Sequence, residues 1–205
     1  MSVRWMLWAA CLAAGLAPAA YADILQVTPF YGYRFSGEFE DAGTGAHLKF
    51  RDSPCWGGIF DVRLSEEMQL EFYYSRQETE LRQDEGLFAS TTLFDLDVDY
   101  YHFGGTYILP YYGPWQTFVV GTVGATHLAP DPPGIDSLTR FSLGLGGGVR
   151  FLPTKHLGLY LAGRGLFTAL EGDLAYRSES GDATLRIESD GFWQVELQAG
   201  LVFAF

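Results

Sequence analysis

A two-residue alternation of apolar and polar side chains runs along almost the whole chain after residue 23, and it constrains the fold more than any other feature. Residues 192–205 show it best. One face of this segment carries Trp193, Val195, Leu197, Ala199, Leu201, Phe203 and Phe205, and the other carries Gln194, Glu196, Gln198, Gly200, Val202 and Ala204. A period of two is typical of β-strands whose two faces meet different surroundings. The sequence therefore predicts an all-β protein.

Eight segments show this alternation. They cover residues 24–37, 54–64, 68–80, 93–109, 115–128, 138–152, 157–172 and 191–205. The connections are short at 65–67, 110–114 and 153–156, and long and polar at 38–53, 81–92, 129–137 and 173–190. An even number of strands with short turns at one end and long loops at the other is the pattern of outer-membrane barrels. The sequence predicts an eight-stranded antiparallel up-and-down transmembrane β-barrel.

The first 22 residues have the composition of a secretory signal peptide. Arg4 supplies a positive start, residues 5–16 are apolar, and Pro18 precedes the A-x-A cleavage site that ends at Ala22. We expect cleavage after Ala22, so that residues 1–22 are the signal peptide and residues 23–205 form the outer-membrane β-barrel domain. Cys55 would then be the only thiol, which excludes an intramolecular disulfide.

Composition excludes two classes of protein. The chain has 13 Lys and Arg against 25 Asp and Glu, for a net charge of −12, and an acidic chain of this kind has no basic patch for nucleic acid. With 48% hydrophobic and 19% charged residues, global disorder is not expected either.

If the apolar faces meet lipid, the polar faces carry charged side chains into the lumen. These are Arg34, Arg63, Arg140, Arg150 and Arg164, together with Asp61, Glu71, Asp95, Asp97, Asp99 and Glu196. The interior of an eight-stranded barrel is just wide enough for side chains to fill, and buried charges must be paired. We therefore expect ion pairs to plug the lumen. Arg34, Arg150, Arg164 and Glu196 are expected to meet near its axis.

A soluble eight-stranded barrel is an alternative, because it shows the same alternation with the apolar face turned inward around a ligand. Two observations favour the membrane barrel. Aromatic residues cluster near the ends of the predicted strands, as at Tyr100 and Tyr101, where interface girdles require them. Glycines at 144, 146 and 148 lie on a polar face, where they leave room for long charged side chains in a narrow lumen.

The last eight residues carry a recognisable motif, Gln198-x-Gly200-x-x-Phe203-x-Phe205. It resembles the assembly signal that outer-membrane barrels present to the barrel assembly machinery, and such a strand could pair its backbone with another sheet edge. Together with residues 28–35 and 141–149, it makes the chain similar to the small OmpA/OmpX/OmpW-like β-barrel superfamily over residues 23–205. The resemblance implies the cell outer membrane of a Gram-negative bacterium, with lipid and lipopolysaccharide as neighbours.

Residues that could carry catalysis or bind a metal are few. The histidines are His47, His102, His127 and His156. None of them is followed closely by Ser, so the chain lacks the His-x-Ser element of a lipid-modifying Ser/His enzyme. His102 is expected near the lipid-facing side. The run of Asp95, Asp97 and Asp99 lacks the glycine and the later Glu of a calcium loop. The sequence predicts no enzyme, no metal and no cofactor.

Three classes of function stay open at this point. The favoured one is a structural or surface-interaction role, in which the acidic loops meet cations bound to lipopolysaccharide or an unidentified partner outside the cell. The alternative is a narrow porin-like channel for small or apolar molecules, and the third is a lipid-modifying enzyme.

The terminal motif leads to a first prediction. Deleting Phe205 should lower the amount of protein assembled in the outer membrane, because the final strand then lacks its terminal aromatic residue, whereas export and cleavage after Ala22 should not change. Membrane fractionation and the gel mobility of unheated samples would measure assembly. Phe205→Tyr is the matched control and should assemble normally. Normal assembly of the deletion variant would show that the motif is incidental.

Overall fold

The computed structural model describes residues 24–41, 46–84, 90–110, 113–131, 137–170, 174–177, 184–187 and 191–205, so the predicted signal peptide lies outside the described residues. The regular structure in the described residues is entirely β. The strands are β1 (Leu25–Ser36), β2 (Glu38–Asp41), β3 (Ala46–Phe50), β4 (Ser53–Arg63), β5 (Met68–Asp84), β6 (Ser90–Ile108), β7 (Trp115–Pro130), β8 (Leu138–Phe151), β9 (Leu157–Ala169), β10 (Leu174–Arg177), β11 (Thr184–Ile187) and β12 (Gly191–Ala204).

Eight of these strands close into an antiparallel barrel. Around the barrel the order is β1, β4, β5, β6, β7, β8, β9 and β12, and β12 pairs with β1 to complete the ring. Each barrel strand therefore pairs with the barrel strands before and after it in the chain. The predicted eight-stranded antiparallel up-and-down barrel is confirmed.

The two rims of the barrel differ. The short-turn rim carries the turns at 64–67 and 152–156, the ends of β6 and β7 at Ile108 and Trp115, and the paired ends of β1 and β12, where the Leu25 nitrogen donates to the Phe205 carbonyl at 3.3 Å. The opposite rim, here called the long-loop rim, carries the longer connections. β5 and β6, with 17 and 19 residues, extend furthest towards it.

Two segments predicted as loops contain strands. Residues 38–53 include the hairpin of β2 and β3, and residues 173–190 include the hairpin of β10 and β11. The first hairpin forms because β5 continues past the start of β4, and backbone groups of its outer half need partners. β3 supplies them through the pairs Phe50–Leu81 and His47–Asp84. The polar composition of these residues concealed their strand character.

The outward face of the barrel is a continuous apolar surface. Exposed large side chains come from every barrel strand, and Leu145 is the most exposed of them, at 73%. Contiguous apolar surface on this scale is rare on soluble proteins. No helix long and apolar enough to cross a membrane occurs in the described residues.

The interior has two parts. Most of it contains the charged residues described below, with buried apolar side chains such as Ile59, Phe118 and Val202 among them. Towards the long-loop rim it changes to an apolar layer, made of Phe50, Leu81, Leu96, Val98, Leu128, Leu170 and Phe192. Phe50 and Phe192 pack edge to face in this layer, with ring centroids 5.0 Å apart.

Candidate functional site

Six charged side chains meet inside the barrel as three ion pairs. Arg34 Nη2 lies 2.7 Å from Glu196 Oε2, Arg164 Nη2 lies 2.8 Å from Glu71 Oε1, and Arg150 Nη2 lies 3.1 Å from Asp61 Oδ2. Each of the six side chains is at most 1% exposed. The strand register brings them together: Arg34 lies opposite Glu196 across the β1–β12 pairing that closes the barrel, and the other two pairs cross the lumen.

The Arg34–Glu196 pair is the most completely hydrogen-bonded of the three. The Tyr73 hydroxyl and the Gln198 amide donate to Glu196 Oε1 at 2.9 and 2.7 Å. The Ser75 hydroxyl and Arg34 Nε donate to Oε2 at 3.0 and 2.8 Å. A buried ion pair is stable only if such additional bonds compensate for its lost hydration. This set of contacts links β1, β5 and β12 inside the barrel.

Arg164 pairs with Glu71, which was not among the residues that the sequence led us to expect near Arg164 at the axis. Glu196 is its neighbour across β9 and β12, but the Arg164 guanidinium extends over the Tyr73 ring, 4.1 Å from the centroid, to reach Glu71 on β5. The Thr106 hydroxyl donates to the second Glu71 oxygen at 2.8 Å. A Cβ at Gly146 would lie 3.3 Å from Arg164 Cγ, which is one reason the polar face of β8 carries glycine.

The third pair lies nearer the short-turn rim. Arg150 Nη1 donates to Gln26 Oε1 at 3.1 Å, and it also donates to Gln69 Oε1. The Arg150 guanidinium lies 4.8 Å from the centroid of the Phe118 ring. Asp61 lies opposite Glu71 in the β4–β5 register, so two carboxylates stand side by side and face two guanidiniums.

Asp95, Asp97 and Asp99 do not lie in the lumen, and this expectation was wrong. They share the outward face of β6 with Tyr101, whereas Leu96, Val98 and Tyr100 point inward. Arg76 on the outward face of β5 forms an ion pair with Asp97 and lies 3.7 Å from Asp99. The polarity of the two faces thus inverts along β6. An outward face that meets water is polar, so the position of the inversion marks where a bilayer would end.

Arg63 and Arg140 occupy inward positions at the two ends of the lumen. Among the described residues neither forms an ion pair, and Arg140 Nη1 donates to the Thr139 carbonyl at 3.3 Å. With the three aspartates on the outside, the barrel-strand residues whose side chains the structure describes include five inward Arg and three inward carboxylates. The sequence had suggested five against six.

His102 is also inward, which corrects its expected position near lipid. Its Nδ1 lies 3.0 Å from Thr122 Oγ1 and its Nε2 lies 2.8 Å from Ser142 Oγ. Sequence reasoning missed this Ser/His contact because register across three strands produces it, not spacing along the chain. Ser142 and His102 are both fully buried, and a nucleophile needs access to its substrate. Among the described residues no cluster of His, Cys, Asp and Glu could hold a metal ion.

The side chains of the terminal motif point inward and outward as the alternation predicts. Gln198 points inward and accepts a hydrogen bond from the Tyr160 hydroxyl at 3.2 Å, while Phe203 and Phe205 are exposed on the outward face. Gly200 packs closely on β1, since a Cβ there would lie 2.5 Å from the Pro29 carbonyl oxygen. Recognition of this motif by an assembly machinery stays a prediction.

Comparison with known proteins identifies the fold. No family model matches the chain, and no curated protein matches it. Solved structures do match. Outer membrane protein AlkL is similar with a TM-score of 0.60 at 13% identity, over 92% of this chain and 93% of that one. Neisserial surface protein A has a TM-score of 0.58 at 13% identity, over 88% and 97%. OprG from Pseudomonas aeruginosa has a TM-score of 0.57 at 12% identity, over 90% and 97%.

These structures are small outer-membrane barrels, and the chain has their fold. The resemblance to this superfamily that the sequence motifs implied is therefore confirmed at the level of the fold. At identities this low the comparison carries no residue roles across.

The buried Arg34–Glu196 ion pair leads to a second prediction. Glu196→Ala should lower the free energy of unfolding by about 3–5 kcal/mol, because it leaves Arg34 buried and unpaired. Arg34→Ala should cost a similar amount, and the double variant should cost less than the sum of the two. Urea unfolding in lipid vesicles would measure all three. Arg51→Ala is the control, since its pair with Glu80 is exposed and should contribute about 0–1 kcal/mol. Additive costs would contradict a direct pair.

Proposed function

We propose that this protein is an outer-membrane β-barrel with a closed lumen, and that it acts as a structural or surface-interaction protein and not as a pore. The observation that carries the proposal is the set of three buried ion pairs across the lumen. We place the protein in the cell outer membrane, in contact with lipid and lipopolysaccharide. It would reach this membrane by export with a signal peptide that is then cleaved.

The outward surface supports the membrane location. On β5 and β6 the apolar face ends at Tyr74 and Tyr101, whose rings lie 5.1 Å apart, and Arg76 and Asp99 follow directly on the same faces. The Tyr74 hydroxyl donates to Asp99 at 3.1 Å. An aromatic residue with a polar tip at the edge of an apolar band is typical of a membrane interface. The long-loop rim would then face outward from the cell, as in other barrels of this architecture.

The interior supports the closed state. Between the ion pairs and the long-loop rim lies the apolar layer defined above, whose side chains are between 0% and 5% exposed. An ion that crosses the barrel would have to break the Arg34–Glu196 contacts and then enter this layer. Hydrophobic constrictions of this kind block conduction even where they are not completely filled.

The acidic outer surface supports an interaction with cation-rich headgroups. Outward carboxylates line a surface pocket of about 410 Å³ together with Arg51, and among them are Glu78, Glu80, Asp95, Asp97 and Asp131. In the β5–β6 register Glu78 lies opposite Asp97, and Glu80 lies opposite Asp95. Like charges opposite each other on neighbouring strands are destabilising. Arg51 pairs with Glu80 and Arg76 pairs with Asp97, and divalent cations held by lipopolysaccharide phosphates would relieve the repulsion that remains.

The closed lumen leads to a third prediction. The wild-type protein should show no steady conductance in planar bilayers. Phe50→Ala combined with Phe192→Ala should produce brief openings, because it removes the two largest side chains of the apolar layer. Steady single-channel conductance of the wild type would contradict the proposal. It would favour the alternative, a narrow porin-like channel for small or apolar molecules.

The acidic surface leads to a fourth prediction. Magnesium should raise the unfolding temperature of the protein in lipopolysaccharide-containing vesicles, and Asp95→Asn combined with Asp97→Asn should remove much of that increase. Glu66→Gln changes an exposed residue at the opposite rim, so it should leave the magnesium-dependent increase in unfolding temperature unchanged. Differential scanning calorimetry would measure the shift. An increase of equal size in both variants would show that these carboxylates do not contact bound cations.

A further inference from the structure

Buried polar atoms without a hydrogen-bond partner in the protein are unevenly distributed along the lumen. Among the described residues they are Thr28 Oγ1, Asp61 Oδ1, Arg63 Nε, Gln69 Nε2, Gln116 Oε1, Arg140 Nε, Arg150 Nε, and Arg164 Nε and Nη1. All except Arg140 Nε belong to the half of the barrel between the Arg164–Glu71 pair and the short-turn rim. The polar side chains of the other half, around Glu196, Tyr100 and His102, bond to one another.

This distribution points to water in one half of the lumen. A buried polar atom that stays unpaired costs about 1–3 kcal/mol, and native proteins satisfy such atoms with internal water. Several of the residues near the short-turn rim are neighbours in the strand register. Gln116 lies opposite Arg150 in the β7–β8 register, and Gln26 and Glu71 both lie opposite Asp61. The other half offers no such group and ends in the apolar layer.

The charge of this half is positive. Arg63, Arg150 and Arg164 face only Asp61 and Glu71, and the unpartnered atoms are mostly N–H donors. Guanidinium N–H groups bind oxyanions and other small anions, and a cleft with one sign of charge and low-dielectric walls concentrates the opposite ion.

We propose that the half of the lumen next to the short-turn rim is a dead-end aqueous vestibule that admits small inorganic anions. Its entrance lies at the short-turn rim beside Arg63, and its floor is the Arg34–Glu196 pair with the apolar layer behind it. The inference rests on the proposed function only in taking the barrel to be closed beyond this floor. It adds a site, a ligand class and a side of entry.

Cysteine accessibility in the reconstituted barrel tests the proposal. Thr28→Cys in a Cys55→Ser background places a thiol in the vestibule, and Gln116→Cys in the same background is a second reporter in case the first variant folds poorly. Thr126→Cys is the matched control, because Thr126 is a fully buried inward threonine on the other side of the floor. Wild-type Cys55, which is fully buried against the floor pair itself, is a second control without any substitution. The probes are sulfonatoethyl and trimethylammonioethyl methanethiosulfonate, which are similar in size and opposite in charge.

We expect the vestibule thiols to react, and to react roughly tenfold or more faster with the anionic reagent than with the cationic one. Thiols at positions 126 and 55 should stay unlabelled in the folded protein. Intact mass measures the rates, and peptide mass spectrometry locates the label.

Three results would overturn the proposal. If both vestibule reporters are inert in folded protein, there is no aqueous vestibule. If the cationic reagent reacts as fast as the anionic one, the site does not select anions. If the control thiol at position 126 reacts as well, the floor does not exclude the reagents. Steady conductance of the wild type would contradict the proposed function itself, so the two failures are distinguishable.

Discussion

Closure of eight strands on themselves sets the size of the interior, and the rest of the structure depends on that size. A barrel of this strand number leaves little room beyond that filled by its own inward side chains. Every long charged residue on an inward face must therefore meet another inward residue, and glycine is required where neighbouring inward side chains leave no space for a Cβ. Gly144 illustrates this requirement, since a Cβ there would lie 2.4 Å from Thr122 Oγ1 and 3.0 Å from His102 Nδ1. Ion pairing in the lumen is thus a consequence of barrel geometry before it is a device of function.

Much of the fold could be predicted from the sequence because strand faces are encoded by a period of two. The alternation located all eight barrel strands, and it placed Arg34 and Glu196 together across the closing pair of strands. The partner of Arg164 could not be predicted in the same way, because a long side chain reaches across the lumen to a strand that is distant in the ring. The contact between His102 and Ser142 depends likewise on register, which the pattern of residues along one strand does not contain.

The wrong placement of Asp95, Asp97 and Asp99 has a different cause. Polar character was assigned to the inward face along the full length of β6, but that rule holds only where the outward face meets lipid. Beyond the apolar band the outward face meets water, and apolar residues such as Leu96 and Val98 take the interior. A change in which face is apolar, within one uninterrupted alternation, is a signal that sequence reasoning could have used.

The same inversion explains why the interior is apolar near the long-loop rim and contains ion pairs deeper in the barrel. Leu96 and Val98 alternate along β6 with the outward aspartates, so the apolar layer lies at the height where the barrel wall has left the apolar band. Water surrounds the wall at this height, and a polar interior there would be open to hydration from the rim. Deeper in, the wall is surrounded by lipid, so solvent can reach the charged residues only along the lumen itself. The Arg34–Glu196 pair can therefore stay dry behind the apolar layer, whereas towards the short-turn rim apolar side chains such as Phe118 and Val202 lie among polar ones such as Gln26 and Gln116.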